Sequence, residues 1–406
     1  MTRVAFFPDS FLEVNGVAHT GRQLVEYASR RQVPLLCVHA GAKTIAVSEG
    51  TIRRLELPRG PFSFGLDKDL IFDLSYLRHF SRAVQECRDF VPDVIHITGP
   101  NDNGILGALV AHRLQIPLVA SWHTNLHEYS GRRTEDLVKF LPQKWKAALS
   151  RAAERYSLEA CLRYYRLGRV LYAPNPELCS LLEKRCERPC LLMPRGVDPE
   201  LFSSKRRARA EGPVRIGYVG RLSPEKNVRF LLELEKALLQ EGLTNFEFYI
   251  VGQGADGPWL RERMQHAQFP GVLRGMDLAR AYADMDIFAF PSSTDTFGNV
   301  VLEALCSGVP CVVTTSGGPK FIVRDAETGF VAGTERDFMA SVALLITERP
   351  LRERMGQAAR HLALSYSWEA VFDRVYAGYH SALIQPRLAT TKSGFPQRSS
   401  SPGSTI

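Results

Sequence analysis

"FPSSTDTFGNVVLEALCSGVPCVVT", residues 290–314, decides how this chain folds. An apolar run closing at Pro291 reads as a buried strand. A polar loop follows, then a short, almost wholly apolar helical pattern starting near Gly298, then Gly308 and a second apolar run. Continuous apolar strands alternating with helices build a parallel sheet covered on both faces. Ligands of such sheets bind beyond the carboxyl ends of the strands, which is where "SSTDTFG" falls. Two acids interrupt the pattern. Asp295 reads either as a helix cap or as a ligand contact. Glu303 shares a helix face with Asn299 and Cys306, beside the core stripe of Val300, Val301, Ala304 and Leu305. A partly buried acid needs a partner, and ribose hydroxyls are suitable donors to it. The helix N-terminus favours an anion such as phosphate, and Gly298 lets the backbone approach it closely.

The remainder of the 406 residues repeats the same rhythm twice. In the first half, "RVAFFP", "VPLLCVHA", "PDVIHITGP" and "PLVASWHT" read as strands, with helical patterns near 17–30 and over "GILGALVAHRL". In the second, "VRIGYVGR", "FEFYIVGQG", "VLRG", "DIFAFP" and "GVPCVVT" are strands and "NVRFLLELEKALLQEG" a helix. The fold class is α/β, with two doubly wound, Rossmann-like domains. The expected boundaries are 1–202 for the first domain, 203–213 for a linker, 214–365 for the second, 366–385 for an amphipathic helix and 386–406 for a disordered tail. The linker reading rests on the polar, basic "SSKRRARAEGP", and the tail reading on its Ser, Thr, Gly and Pro.

At 45% hydrophobic and 23% charged the chain has the composition of a globular enzyme. The start "MTRVAFFPDS" is no signal peptide, and no run approaches the roughly 18 apolar residues of a membrane span. Of the eight cysteines, Cys37, Cys161, Cys306 and Cys311 lie in apolar runs. Cys179, Cys186 and Cys190 lack the spacing of a zinc site. Free thiols point to a reducing cytoplasm.

Further motifs carry chemistry. "GYVGRLSPEKN" (217–227) delivers Arg221 from a glycine-rich strand end, with Lys226 just before a helix. Together they suit a leaving diphosphate without a metal, and a solvated basic turn is the other reading. In "EVNGVA" (13–18), the Gly16 backbone could approach a phosphate from the opposite domain. In "SWHTNLHEY", His123 lies just past a buried strand and suits a substrate hydrogen bond. His123 with His127, four apart, lacks an acidic third ligand for a metal. Asp284 and Asp286 read as turn and cap residues.

Taken in order, "NGVA" (15–18), "HT" (123–124), "RGVD" (195–198), "GRLSPEKN" (220–227), "VGQG" (251–254) and "PSSTDTFGNVVLEALCSGVPCVV" (291–313) resemble the retaining GT-B glycosyltransferases of family four. The most specific block is the last, which carries the family's acid-x7-acid pattern as Asp295 and Glu303. The wording is most like the branch using GDP-mannose or UDP-sugars on lipid-linked or small glycoside acceptors. The resemblance implies two domains facing a cleft, with the last helix crossing back onto the first. It implies that Arg221 and Lys226 hold the donor diphosphate beside Gly220, with Gly16 opposite. Asp295 would bind sugar hydroxyls, and Glu303 the ribose. The backbone at Phe297, Gly298, Asn299 and Val300 would touch sugar and phosphates, and His123 would help orient the sugar. No cofactor or metal is implied besides the nucleotide-sugar donor. The first acid is commonly Glu in that family, whereas here Asp295 is one methylene shorter.

With no carboxylate evidently placed as nucleophile, front-face substitution by the acceptor hydroxyl is expected, on a leaving group stabilised electrostatically. The net charge of +8 is concentrated over 132–169. Arg132, Arg133, Lys139, Lys144, Arg151 and Arg155 are among its cations, interleaved with Phe140, Trp145 and Tyr164. That pattern suits an anionic membrane surface, peripheral to the inner face, or a solvated helix face. No nucleic-acid-binding module is evident. The competing readings are a noncatalytic sugar-nucleotide sensor or membrane-surface scaffold, and a GT-B phosphorylase or epimerase.

Overall fold

The computed structural model describes residues 1–13, 15–67, 70–123, 134, 142–209 and 212–384. His127, Arg132, Arg133, Lys139, Phe140 and the expected tail from 386 lie outside the described residues.

The first half forms β1 (Val4–Phe7), β2 (Leu35–Gly41), β3 (Ile45–Glu49) and β4 (Ile52–Pro58). A two-stranded antiparallel pair, β5 (Ser63–Asp67) and β6 (Leu70–Asp73), follows. Then come β7 (Val94–Ile97), β8 (Leu118–Ser121), β9 (Val170–Ala173) and β10 (Cys190–Leu192). Apart from β5 and β6 they make one sheet in the order β10-β9-β8-β7-β1-β2-β4-β3, parallel except for β3. The second sheet has β11 (Val214–Val219), β12 (Phe246–Val251), β13 (Ala267–Gly271), β14 (Ile287–Phe290), β15 (Cys311–Thr314) and β16 (Gly329–Ala332). Its order is β13-β12-β11-β14-β15-β16, parallel throughout. Central strands are buried on both faces, as their continuous apolar runs require.

Strand order reverses between β1 and β7 in the first sheet and between β11 and β14 in the second. These reversals are the crevices in which doubly wound sheets bind ligands. The loops after β1, β11 and β14 carry Gly16, Lys226 and Asp295 to them.

The final helix, Trp368–Ile384, lies on the first sheet, not the second. Its Val371, Phe372, Val375 and Tyr379 join Val4, Phe6 and the helix Gly16–Arg30 in one apolar cluster. Tyr172 donates from its hydroxyl to the Val375 carbonyl, and Tyr27 reaches Asp373.

One local expectation needs correction. The strand placed at "VLRG" is Ala267–Gly271, just upstream. Gly271 takes φ +84°, which turns the chain out of the sheet, so Val272–Arg274 leads into the helix Gly275–Ala283 instead. The basic segment read as a linker is pinned where it is described. Arg207 pairs with Asp286, Arg209 with Glu247 and Asp286, and the Asp284 carboxylate accepts from the backbone N–H of Ala208 and Arg209. Composition alone does not separate a solvated basic run from one with acidic partners far along the chain. All eight cysteines are free.

Candidate active site

The loop after β14 leads into the helix Asn299–Cys306 through Gly298, whose φ of +102° only glycine adopts readily. A Cβ on Gly298 would also stand 2.9 Å from the Pro319 ring. The cap position is Gly298, which has no side chain to cap it, and among the described residues no side chain takes its place; such a helix start suits an anion. Asp295 is therefore not its cap. Its Oδ1 accepts from Lys226 Nζ at 2.8 Å and its Oδ2 from Ser292 Oγ at 2.6 Å. Both partners of the ion pair are largely screened from water. The lysine expected at the phosphate and the acid expected at the sugar thus touch. Gly317 and Gly318 support this loop: a Cβ on Gly318 would lie 2.2 Å from the Thr296 carbonyl oxygen, and Gly318 N donates to the Asp295 carbonyl.

Lys226 ends a single turn, Pro224–Lys226, which Asn227 closes at φ +52°. The glycine-rich strand ends pack backbone on backbone, since a Cβ on Gly252 would meet the Gly220 carbonyl oxygen at 1.9 Å. Arg221 is half-exposed, with its guanidinium 3.9 Å from Glu225. Across the cleft, a Cβ on Gly16 would stand 3.1 Å from Asn299 Nδ2, so the first domain's helix start faces the second domain's. Phe297 is buried, and Val300 lies between core and surface.

One turn beyond Asn299, Glu303 Oε2 accepts from the Tyr282 hydroxyl at 2.8 Å. Burial pushes its carboxyl up to about 7, only partly offset by that bond. Asn299 and Glu303 line a cavity of about 360 Å³, opposite His19 and Gln23 and closed by Gly196 and Trp368.

Both ring nitrogens of His123 are engaged by protein groups. Its Nδ1 bonds Arg195 at 2.8 Å and its Nε2 bonds Ser121 Oγ at 2.6 Å. A ring contact to the sugar would require giving one of these up. Its backbone carbonyl instead accepts from Thr296 Oγ1 at 3.1 Å, in the Asp295 loop. Asn175, the cap of the helix Pro176–Cys186, donates to the Thr296 carbonyl at 2.7 Å. These contacts dock the Asp295 loop on the first domain.

Sequence reasoning quoted Arg195 and Thr296 within matching motifs without giving either a role, and passed over Asn175 and Asp9. Asp9 follows β1 at the first sheet's reversal and has a buried oxygen with no partner among the described residues. Burial, with a smaller push from Asp102, raises its carboxyl to about 7 despite a Thr98 hydrogen bond. Asp9 also sits in the "PDS" that opens the glycine loop, the one signal available. Among the described residues, no three His, Cys, Asp or Glu side chains gather as a metal site needs.

This geometry has relatives. Residues 15–163 match the "Glycosyl transferase 4-like domain" and residues 213–348 the "Glycosyl transferases group 1" family. A GDP-mannose-dependent alpha-mannosyltransferase of Mycolicibacterium smegmatis is 30% identical over 94% of this chain and 98% of its own. This chain belongs to the group 1 glycosyltransferases. The glycosyltransferase is also similar to the sulfoquinovosyl transferase SQD2 of Arabidopsis thaliana, 33% identical over 75% of this chain and 59% of that protein. In fold it matches sucrose-phosphate synthase from Thermosynechococcus elongatus at a TM-score of 0.69, with 17% identity, 94% of this chain and all of that one covered. The enzyme thus has the GT-B architecture and transfers glycosyl groups.

Proposed function

We propose that this glycosyltransferase moves a mannosyl group from GDP-mannose to a hydroxyl of a lipid-linked or glycoside acceptor, with retention and without a metal. The observation that carries it is the contact of Lys226 with Asp295 at the open end of the helix Asn299–Cys306. One point then offers a cation and free N–H groups to the diphosphate and an acid to the sugar. The choice of donor is supported by a relative along 94% of this chain whose name specifies GDP-mannose. Both Asp295 oxygens are engaged by Lys226 and Ser292, which suits a sugar-holding acid better than a nucleophile. Front-face substitution follows. The acceptor oxygen bonds the anomeric carbon from the side on which its bond to the diphosphate breaks. The hydroxyl proton passes to a leaving phosphate oxygen, and Lys226, Arg221 and the helix N-terminus carry the developing charge.

A donor panel tests this. GDP-mannose is expected to raise the melting temperature by several degrees at a hundredfold excess over Kd, a stabilisation of about 2.7 kcal/mol, and to be turned over. A UDP-sugar doing so instead replaces the donor. Binding without turnover on any acceptor favours a noncatalytic sensor, and phosphate-dependent cleavage a phosphorylase.

The acceptor's lipid character has its own support. No described helix is long and apolar enough to cross a membrane. The helix Gln143–Tyr165 nevertheless turns Trp145, Leu149 and Tyr156 outward at 67%, 41% and 76% exposure. Spaced four and seven apart, they share one face, beside exposed Lys144, Arg151, Arg155 and Arg163. We expect the protein to sediment with phosphatidylserine-containing vesicles at low salt and to be released at high salt. Absence from the pellet at low salt would sink the membrane reading.

A further inference from the structure

Five buried polar side chains form one unbroken line through the first domain. Arg195 Nη2 meets His123 Nδ1 at 2.8 Å, and His123 Nε2 meets Ser121 Oγ at 2.6 Å. Ser121 Oγ meets His96 Nε2 at 2.9 Å, and His96 Nδ1 meets the Tyr379 hydroxyl at 2.7 Å. Each of the five is at most 5% exposed. Phe6 and Tyr172 enclose the His96 ring, so little water can substitute for a lost partner.

The tautomer of His123 follows from one end. A guanidinium only donates, so His123 Nδ1 must accept. Burial and the Arg195 charge hold His123 neutral, so its one ring proton is on Nε2 and is donated to Ser121. Ser121 can then pass its own proton to His96 Nε2. Burial keeps His96 neutral as well, so in that arrangement its one ring proton is on Nδ1 and is donated to Tyr379. The other arrangement has Tyr379 donating to His96 Nδ1 and both rings donating to Ser121; each arrangement leaves one hydroxyl proton without an acceptor among the described residues, and His123 carries its proton on Nε2 in both.

The two ends lie in different parts of the molecule. Tyr379 is on the final helix, and Arg195 precedes Gly196 at the cavity between the domains. Between them, the His123 carbonyl receives the Thr296 hydroxyl of the Asp295 loop. We propose that Arg195, Ser121, His96 and Tyr379 are positioning residues for the transfer reaction. They lock His123 as the neutral Nε2–H tautomer and hold its carbonyl against Thr296, coupling the final helix to the Asp295 loop. The kinetic consequence rests on the reading of this cleft as the transfer site, whereas the tautomer and the coupling do not.

The test has two arms that need no substrate and one that does. In protein selectively labelled with ¹⁵N-histidine, the His123 resonances are expected at pH 7 as a neutral ring protonated on Nε2. A ring protonated on Nδ1, or on both nitrogens, overturns the proposal. Arg195→Leu is expected to release the tautomer into a mixture and Arg195→Lys, which keeps a donor, to retain it. Tyr379→Phe removes one oxygen and guards against failure of the arginine variants to fold. By mass spectrometry, segment 293–298 of Tyr379→Phe is expected to exchange hydrogen at least fivefold faster than in the parent. With its preferred donor, kcat is expected to fall about tenfold while donor KM stays within twofold. A folded Tyr379→Phe with unchanged exchange and kcat defeats the coupling. Inactivity of the parent on every donor would instead defeat the reading of the cleft, leaving labelling and exchange to decide the network.

Discussion

Lys226→Ala is expected to lower kcat about a hundredfold in a protein that still folds. On the proposed reading Lys226 supplies a positive charge where the diphosphate departs, and its side chain is largely screened from water. Removing one preorganised donor to a developing anion costs about 3 kcal/mol of transition-state stabilisation. The variant has a second effect, because Lys226 also holds Asp295. Without it, Asp295 keeps only the Ser292 hydroxyl and can swing out of register with the sugar. Lys226→Ala and Asp295→Asn should therefore be strongly non-additive, the double variant being little worse than the more damaging single one. A cycle of the four proteins, with kcat measured at saturating donor and folding checked by circular dichroism, gives the coupling. Strict additivity would mean that the two side chains act apart despite their contact, and an unchanged kcat would take Lys226 out of the site.

The parts of this arrangement that are legible in the chain are local ones. Asp295 and Glu303 lie on either side of Gly298, in one loop and the helix it opens, and Arg221 and Lys226 lie in the one loop after β11, so short spacings suffice to place each pair. The alternation of apolar strands and helices likewise gives the doubly wound sheets, because strands buried on both faces leave no period to misread. What escapes is long-range and polar. Arg195 meets His123 across 72 positions, and Asn175 meets Thr296 across 121. No periodicity reports such pairs. The reading of Asp295 as a cap fell for a related reason. Capping depends on where the helix begins, and the left-handed Gly298 delays that start to Asn299. The edge of the second sheet misled in the same way: nothing in "VLRG" announces that Gly271 has already turned the chain away. His123 was found, but its partners were not, and they decide that its carbonyl rather than its ring meets the Asp295 loop.

Glu303→Gln is expected to separate stability from binding, and pH shows the separation. In the folded enzyme the Glu303 carboxyl is pushed up from 4.5 to about 7, mainly by burial. Between those values the folded state holds a proton that the unfolded chain has released, so stability falls as pH rises from about 4.5 through about 7, then levels. Glutamine stays neutral and keeps an acceptor for the Tyr282 hydroxyl. The variant should therefore melt with the parent at pH 4.5 and above it at pH 8. Donor binding should move the other way. Ribose hydroxyls donating to Glu303 favour its ionised form, so binding should release a proton near pH 6.5 and weaken below it. The variant loses a charge-assisted hydrogen bond of about 1.5–3 kcal/mol, an affinity loss of roughly ten- to a hundredfold at pH 8. Calorimetry in two buffers of different ionisation enthalpy reads the proton release, which should vanish in the variant. A variant that binds donor as tightly as the parent, with the same proton release, would place the ribose elsewhere and leave Glu303 as a half-buried acid bonded to Tyr282.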